Sequence, residues 1–186
     1  MKNNLTILKI LPFTLFLLIF LVSALVLYQL KNNPQNIKSI KSQLIGKNIP
    51  KILIPEVNYF KPSNQKQNLD FKKYANQIFA VNFFASWCAP CRIEAPIIEE
   101  LNEIIPVIGI AYKDKFIDTK KFLNDFGNPY KKIGLDQYGK VAIEWGVYGV
   151  PETFLINKKG EIIYRHAGPL LYNTFKFEVL PLIQEN

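Results

Sequence analysis

The stretch from Phe79 to Cys91 decides the fold, and it reads FAVNFFASWCAPC. Its first half is an apolar run typical of a buried strand, and its second half holds both cysteines of the chain just before a helical pattern. A strand that ends here delivers Cys88 to a helix N-terminus, where unpaired backbone N–H groups favour a thiolate. Cys91, one helical turn later, is placed to resolve a mixed disulfide formed at Cys88. The stretch therefore predicts a redox-active dithiol, with Cys88 as the exposed nucleophile.

Two other uses of the cysteine pair remain open from the residues alone. A structural zinc site takes about four ligands, usually Cys or His. The chain has two cysteines and one histidine, His166, so such a site would need carboxylates or a second chain. A plain structural disulfide is the stronger alternative, although the position between strand and helix argues against it. We expect neither a metal nor a cofactor.

A second signal is the apolar run from Ile10 to Leu30, which no charge interrupts. About 20 such residues span a bilayer. A cleaved signal peptide would have a shorter apolar region, and the run continues past the weak cleavage candidate at residues 22–24. We therefore expect an uncleaved transmembrane anchor at residues 10–30, a cytoplasmic N-terminus at residues 1–9 and a linker at residues 31–43. Lysines on both sides leave the orientation undecided, but a dithiol suits an oxidising compartment.

The formal charge of +8 does not indicate nucleic-acid binding. Nearly all of the positive charge is lysine, scattered through the chain, and Arg92 and Arg165 are the only arginines. A nucleic-acid interface would cluster basic residues with interleaved aromatic ones. The lysines are instead expected on solvated faces, so we expect no nucleic-acid partner.

The remaining pattern alternates strands and helices and predicts a mixed α/β sheet. A helix is expected from about Ala89 to Ile105, another after an N-cap at Asp118, and a last one over Asn173–Ile183. The expected strands are a short one near Ile52–Ile54, then Ile78–Ala85, Val107–Ala111, Ile133–Asp136, Thr153–Asn157 and Glu161–His166. The last two strands flank a Gly-containing turn and form a hairpin.

Two motifs carry a family resemblance. They are NFFASWCAPCRIE at residues 82–94 and GVYGVPETFLI at residues 146–156. Together they resemble the thioredoxin-like thiol:disulfide interchange proteins of cytochrome c maturation, the DsbE/CcmG type. The resemblance runs from Leu44 to the C-terminus, so we expect one thioredoxin-like domain over residues 44–186.

The resemblance implies a membrane-tethered domain on the periplasmic side of the bacterial inner membrane. There it would reduce the haem-attachment cysteines of apocytochrome c, and a membrane dithiol donor of the DsbD/CcdA type would re-reduce it. The haem-ligation machinery is a possible further partner. Cys88 matches the attacking cysteine, Cys91 the resolving one, and Pro151 a cis-proline beside the disulfide. The backbone at Val150 would then pair with an extended substrate peptide.

Asn82 stands where many thioredoxins carry a buried aspartate that takes the proton of the resolving cysteine. Asparagine cannot do this, so Glu94 and Glu152 are the candidate carboxylates, as in this family's acidic site. The alternatives are a solvent-facing residue in the first helical turn for Glu94 and a surface residue entering a strand for Glu152. Trp87 is expected to shield the disulfide and Tyr148 to line the groove, with ordinary packing as the alternative for both. We expect His166 to be structural.

Two other functions remain open at this point. A general oxidant of the DsbA type has the same dithiol and differs in redox potential, for which about 30 mV shifts the equilibrium tenfold. A tethered binding module would hold apocytochrome or the haem-ligation complex without any thiol chemistry.

Overall fold

A computed structural model describes residues 2–32, 44–56 and 67–186. The chain divides into two compact units, Met1–Lys41 and Ser42–Asn186. The predicted linker lies mostly outside the described residues. In the first unit, helix α1 spans Lys2–Asn32. Its segment Leu11–Gln29 has a mean hydropathy of 2.5, and among the described helices it is the one long and apolar enough to cross a membrane. This finding is consistent with the expected anchor.

The second unit is built on a five-stranded mixed sheet, which confirms the predicted fold class. The strands are β1 (Phe79–Phe84), β2 (Val107–Tyr112), β3 (Lys132–Asp136), β4 (Glu152–Ile156) and β5 (Ile162–Ala167), in the spatial order β3-β2-β1-β4-β5. Strands β1, β2 and β3 run parallel, whereas β4 pairs antiparallel with β1 and with β5. Every residue of β1 is buried, as its unbroken apolar sequence predicts for a central strand.

Helices cover this sheet and differ from the expected ones in some details. They are a 3-10 turn at Phe71–Tyr74, α2 (Ala89–Ile104), α3 (Phe116–Phe126), α4 (Lys140–Glu144), α5 (Tyr172–Thr174), a π-helical turn at Phe175–Val179 and α6 (Leu180–Glu185). The predicted N-cap Asp118 is wrong. Helix α3 begins at Phe116, and its N-cap is Lys115, which makes no side-chain capping hydrogen bond. Asp118 lies in the first turn, where its negative charge interacts favourably with the helix dipole.

At the ends of the domain, one expectation fails and another is met with a change in detail. The expected strand near Ile52–Ile54 does not form; this segment has a backbone hydrogen bond from the Leu69 N–H to the Ile54 carbonyl at 2.8 Å and isolated bridges at Pro55 and Glu56. The last helix forms as expected over residues 172–185, with a π-helical turn at Phe175–Val179 inside it. Periodicity detects the apolar face of such segments but not the hydrogen-bond pattern of their backbone.

The topology places the cysteine pair at the carboxyl end of the central strand. Strand β1 ends at Phe84, and α2 begins at Ala89. Ligand and reaction sites in open α/β sheets lie at this edge of the parallel strands. The loop that follows β2 and the residues that lead into β4 reach the same end, because β1 pairs parallel with β2 and antiparallel with β4. Residues distant in sequence therefore meet around Cys88.

Gly109 in β2 leaves room for an aromatic side chain that reaches into the site. A Cβ atom at this position would lie 2.8 Å from the Tyr130 ring and 2.9 Å from the Phe84 ring. These two rings stack with their centroids 4.6 Å apart. The missing side chain of Gly109 is thus what allows Tyr130 to pack against the sheet.

We expect Gly109→Ala to lower the free energy of unfolding of the detergent-solubilised chain by about 1–3 kcal/mol, because overpacking displaces the two rings. Urea denaturation of the oxidised protein measures the change. Gly149→Ala is the matched control, since nothing lies within 4 Å of a Cβ atom there. Equal stability of the two variants would contradict the packing argument.

Candidate active site

The two cysteines form a disulfide at the start of α2. Cys88 is the N-cap residue of this helix, and its Sγ atom accepts the N–H of Cys91 at 3.2 Å. Pro90 occupies the first turn, where a missing N–H costs nothing. An N–H directed at sulfur stabilises a thiolate at Cys88 once the disulfide is reduced. The local geometry thus distinguishes Cys88 from Cys91 in the way the sequence predicts.

Exposure does not distinguish the two cysteines, and the expectation of an exposed Cys88 is wrong for this disulfide form. Each cysteine is only 3% exposed. They pack in one apolar cluster with Phe84, Phe122 and other side chains of α3 and the sheet. Thiol–disulfide exchange at this pair therefore begins in a largely desolvated environment. The difference between Cys88 and Cys91 comes from the helix N-terminus and not from exposure.

The loop that carries Trp87 and Cys88 is held by the segment that follows β2. The carboxylate of Asp114 accepts the backbone N–H of Ser86 at 2.7 Å and its hydroxyl at 2.8 Å. Trp87 is exposed, and its indole N–H donates to the Lys113 carbonyl at 3.4 Å. Its ring lies 6.4 Å from that of Tyr112. Shielding of the disulfide by Trp87 stays a prediction, since these described contacts are with the neighbouring loop.

Glu94 is the most unusual group near the pair. It is 1% exposed, so it is not the solvent-facing helix residue that was the alternative interpretation. Its two oxygens accept the Asn82 side-chain N–H at 2.9 Å and the Leu170 backbone N–H at 2.9 Å. Within the described residues, no lysine or arginine forms an ion pair with it. Burial raises the pKa of the Glu94 carboxyl to about 7, and the two hydrogen bonds oppose the increase.

Glu152 is also buried, against the surface alternative, but its surroundings differ. Its carboxylate forms an ion pair with the Arg165 guanidinium and accepts the Tyr148 backbone N–H at 3.2 Å. Burial raises the pKa of the Glu152 carboxyl, and the charge of Arg165 opposes this increase. Arg165 also donates to the Gly146 carbonyl at 2.7 Å and lies 4.4 Å from the centroid of the exposed Tyr148 ring. Glu152 and Arg165 thus fix the loop that carries Tyr148.

Pro151 follows that loop and leads into β4. The Val150–Pro151 peptide bond is cis, as the resemblance implies. Val150 is partly buried against the apolar cluster that contains Cys88 and Cys91. The second motif therefore lies close to the disulfide, although 51 residues separate it from the first motif. His166 is not part of this cluster, and its Nε2 atom lies 3.3 Å from the Pro169 carbonyl oxygen.

Four site residues were not found from the sequence. Tyr130 donates its hydroxyl proton to Asn82 at 2.8 Å, and Thr153 accepts from the same side chain at 3.0 Å. Asp114 and Arg165 hold the two loops described above. For Arg165 a signal existed, because it is one of only two arginines in a lysine-rich chain. The other three have no local pattern, since their partners come from distant parts of the chain.

The comparisons with known proteins agree with this geometry. The Redoxin family model matches residues 46–176. The thiol:disulfide interchange protein CycY of Rhizobium leguminosarum bv. viciae is 43% identical over 107 residues, which are 56% of this chain and 58% of that protein. The match thus spans less than two thirds of CycY. The thiol:disulfide interchange protein DsbE of Pasteurella multocida is 34% identical over 185 residues, 95% of this chain and 96% of the relative.

A solved structure agrees on the fold. A DsbE thiol:disulfide interchange protein from Chlorobium tepidum superposes with a TM-score of 0.61 at 23% identity, covering 74% of this chain and 95% of that one. The family match covers most of the folded unit, and the DsbE relative aligns along nearly the whole chain. The chain therefore belongs to the Redoxin family, as a thiol:disulfide interchange protein of the DsbE type.

Proposed function

We propose that this protein is a protein-disulfide reductase that keeps the haem-attachment cysteines of apocytochrome c reduced during cytochrome c maturation. The observation that carries the mechanism is the buried Glu94 carboxylate, which lies one helical turn after Cys91 on the buried face of α2. Residues three apart on a helix lie side by side, with Cβ atoms about 5–6 Å apart. A carboxyl group that titrates near neutral pH at this place is suited to accept the proton of a thiol.

The reaction takes two exchange steps. The Cys88 thiolate attacks a substrate disulfide, one substrate sulfur leaves as a thiolate, and the other becomes bonded to Cys88. Cys91 then gives its proton to Glu94, its sulfur attacks Cys88, and the second substrate sulfur leaves as a thiolate that takes a proton from water. The two electrons of the dithiol have passed to the substrate, and the protein holds the Cys88–Cys91 disulfide. A membrane dithiol donor of the DsbD/CcdA type re-reduces this disulfide.

Glu152 has a different role in this proposal. Its ion pair with Arg165 holds its carboxylate in place, whereas Glu94 has no such cation among the described residues, so we assign the proton transfer to Glu94. Glu152 instead supports the groove formed by Tyr148, Val150 and Pro151, where an extended peptide would pair with the Val150 backbone. Trp87 borders the same site from the other loop. The exposed aromatic rings of Trp87 and Tyr148 suit a peptide substrate.

The proposal includes a location. Residues 10–30 anchor the chain in the bacterial inner membrane, residues 1–9 remain in the cytoplasm, and a linker at residues 31–43 precedes the thioredoxin-like domain of residues 44–186, which faces the periplasm. The apolar segment Leu11–Gln29 and the DsbE relative support an anchored protein. The periplasm is oxidising, so a reductant for secreted cysteines is needed there. The haem-ligation machinery is a further partner, because it consumes the reduced product.

Cys91→Ser should trap the physiological substrate, because the mixed disulfide at Cys88 has no resolving thiol. In cells that make c-type cytochromes, we expect the trapped partner to be apocytochrome c, joined through its haem-attachment cysteines. Purification of the variant under non-reducing conditions and mass spectrometry identify the partner.

Cys88→Ser is the matched control and should trap nothing. A broad set of secreted proteins on Cys91→Ser would contradict the dedicated role and favour a general oxidoreductase. A variant with both cysteines changed to serine tests the alternative of a binding module. If the protein were a binding module, this variant would still support cytochrome c assembly, whereas a reductase would lose that function.

Glu94→Gln should slow the chemistry and stabilise the fold. Loss of the proton acceptor is expected to slow resolution of the mixed disulfide about a hundredfold at pH 7. The folded-state pKa of about 7 lies above the ordinary 4.5, so folding takes up a proton between these pH values and wild-type stability falls as pH rises through this window. Above pH 7 the free energy of unfolding of the variant should exceed that of the wild type by about 1–3 kcal/mol, because its amide carries no charge to bury. The gain is partial, since the amide leaves one of the two N–H donors poorly paired.

Stopped-flow kinetics and urea denaturation at pH 4.5 and pH 8 measure the two effects. Glu100→Gln, an exposed change on the same helix, is the control and should alter neither. An unchanged resolution rate in Glu94→Gln would remove Glu94 from the reaction, and an unchanged pH dependence of stability would show that it is ionised like an ordinary surface carboxylate.

A further inference from the structure

The Asn82 side chain lies in the middle of the buried strand β1 and has three side-chain partners. Its Nδ2 group donates to Glu94 at 2.9 Å and to Thr153 at 3.0 Å. Its Oδ1 atom accepts the Tyr130 hydroxyl proton at 2.8 Å. Both hydrogens and the oxygen of the amide are therefore hydrogen-bonded, to residues of α2, of β4 and of the segment before β3.

The orientation of this amide affects the charge state of Glu94. An N–H directed at the carboxylate stabilises its ionised form. If the amide were turned over, Oδ1 would face Glu94, repel the carboxylate and accept a hydrogen bond from the neutral carboxyl group. One amide thus favours opposite charge states of Glu94 in its two orientations.

Tyr130 selects between the two orientations. Burial raises the pKa of the Tyr130 phenol well above its ordinary value, so the hydroxyl stays protonated and is a donor at physiological pH. With the amide turned over, Nδ2 would face the phenol oxygen, and the hydroxyl proton would lose the acceptor that the structure gives it. A buried donor without a partner costs as much as a lost hydrogen bond or more. The present orientation, with the N–H toward Glu94, is therefore the favoured one.

The position of Tyr130 is itself determined by packing. Its ring stacks on Phe84 of β1 at 4.6 Å and lies over Gly109 of β2, where no side chain intervenes. Its backbone N–H donates to the Asn128 side chain at 3.1 Å in the segment before β3. These contacts fix the Tyr130 ring in the position from which its hydroxyl donates to Asn82.

We infer that Tyr130 is a positioning residue for the dithiol reaction: its hydroxyl orients the Asn82 amide toward Glu94 and so sets the pH at which Glu94 takes the proton of Cys91. The inference rests on the proposed role of Glu94 in the reductase. It adds a residue that contacts neither the disulfide nor the carboxylate through any described hydrogen bond.

The other described groups that face Glu94 do not take over the role of Asn82 and Tyr130. On α2, Cys91 is one turn away, and the segment after β5 contributes the uncharged Leu170 amide. Thr153 on β4 is neutral, and His166 on β5 pairs with Thr153 in the ladder while its ring nitrogen lies near the Pro169 carbonyl. Tyr130 is the titratable neighbour from the segment before β3, and it stays neutral.

The pH dependence of resolution tests the inference. The reduced full-length protein in detergent reacts with a C-x-x-C-H peptide disulfide, and the rate of Cys88–Cys91 disulfide formation from the mixed disulfide is followed between pH 5 and 9. We expect the wild-type rate to rise with a midpoint near 7 and Tyr130→Phe to shift this midpoint upward by about half to one unit, the equivalent of one ordinary hydrogen bond. Phenylalanine keeps the ring that stacks on Phe84.

Tyr164→Phe is the matched control, because it removes a hydroxyl that donates to Glu178 at 2.8 Å on the surface. Its midpoint should equal that of the wild type. A Tyr130→Phe profile that is uniformly slower without a shifted midpoint, or that overlays the wild type, would overturn the inference. Asn82→Ala removes the oriented amide itself and should also shift the midpoint upward; an unshifted midpoint there would overturn it as well.

The proposed function fails in a distinguishable way. A wild-type protein that does not reduce the peptide disulfide contradicts the reductase, and a wild-type rate without a step near pH 7 contradicts the proton transfer to Glu94. A wild-type step that Tyr130→Phe leaves in place contradicts the role of Tyr130 alone.

Discussion

A buried carboxylate with no ion-pair partner among the described residues is the constraint on which the site depends. Isolated charges are costly to bury, so such a group either finds hydrogen-bond donors or becomes neutral. Glu94 is intermediate, because it accepts N–H groups from Asn82 and Leu170 while burial raises the pKa of its carboxyl to about 7. The raised pKa means that the ionised carboxyl of Glu94 lowers the free energy of unfolding. The same raised pKa makes the group a useful proton acceptor near neutral pH.

The sheet topology brings the parts of this site together. Strand β1 carries Asn82 in its middle and leads directly to Cys88, so one strand positions both the dithiol and the amide that faces the carboxylate. Strand β4 on one side supplies Thr153, and Gly109 in β2 on the other side makes room for Tyr130. The reactive sulfurs and the proton acceptor thus lie against the most buried part of the domain.

The local patterns predicted the parts that depend on neighbours in sequence. The buried strand at Phe79–Phe84, the cysteine at the helix start and the mixed sheet follow from periodicity and from the position of the pair. The burial of Glu94 did not follow, because an acidic residue near the start of a helix is usually solvated, and the N–H groups of Asn82 and Leu170 are what make its buried position tolerable. Tyr130 lies 48 residues from Asn82, and Arg165 lies 13 residues from Glu152, so neither contact has a short-range signal. Capping at Asp118 failed because α3 begins at Phe116, which places Asp118 in its first turn.

A site-specific titration of Glu94 tests the account most directly. The ¹³C chemical shift of its side-chain carboxyl can be followed in the oxidised full-length protein, with Glu94→Gln used to assign the resonance. The account predicts a midpoint near pH 7. A midpoint near the ordinary value of 4.5 would contradict it, because the carboxylate would then be fully ionised at neutral pH and too weak a base to take the proton of a thiol.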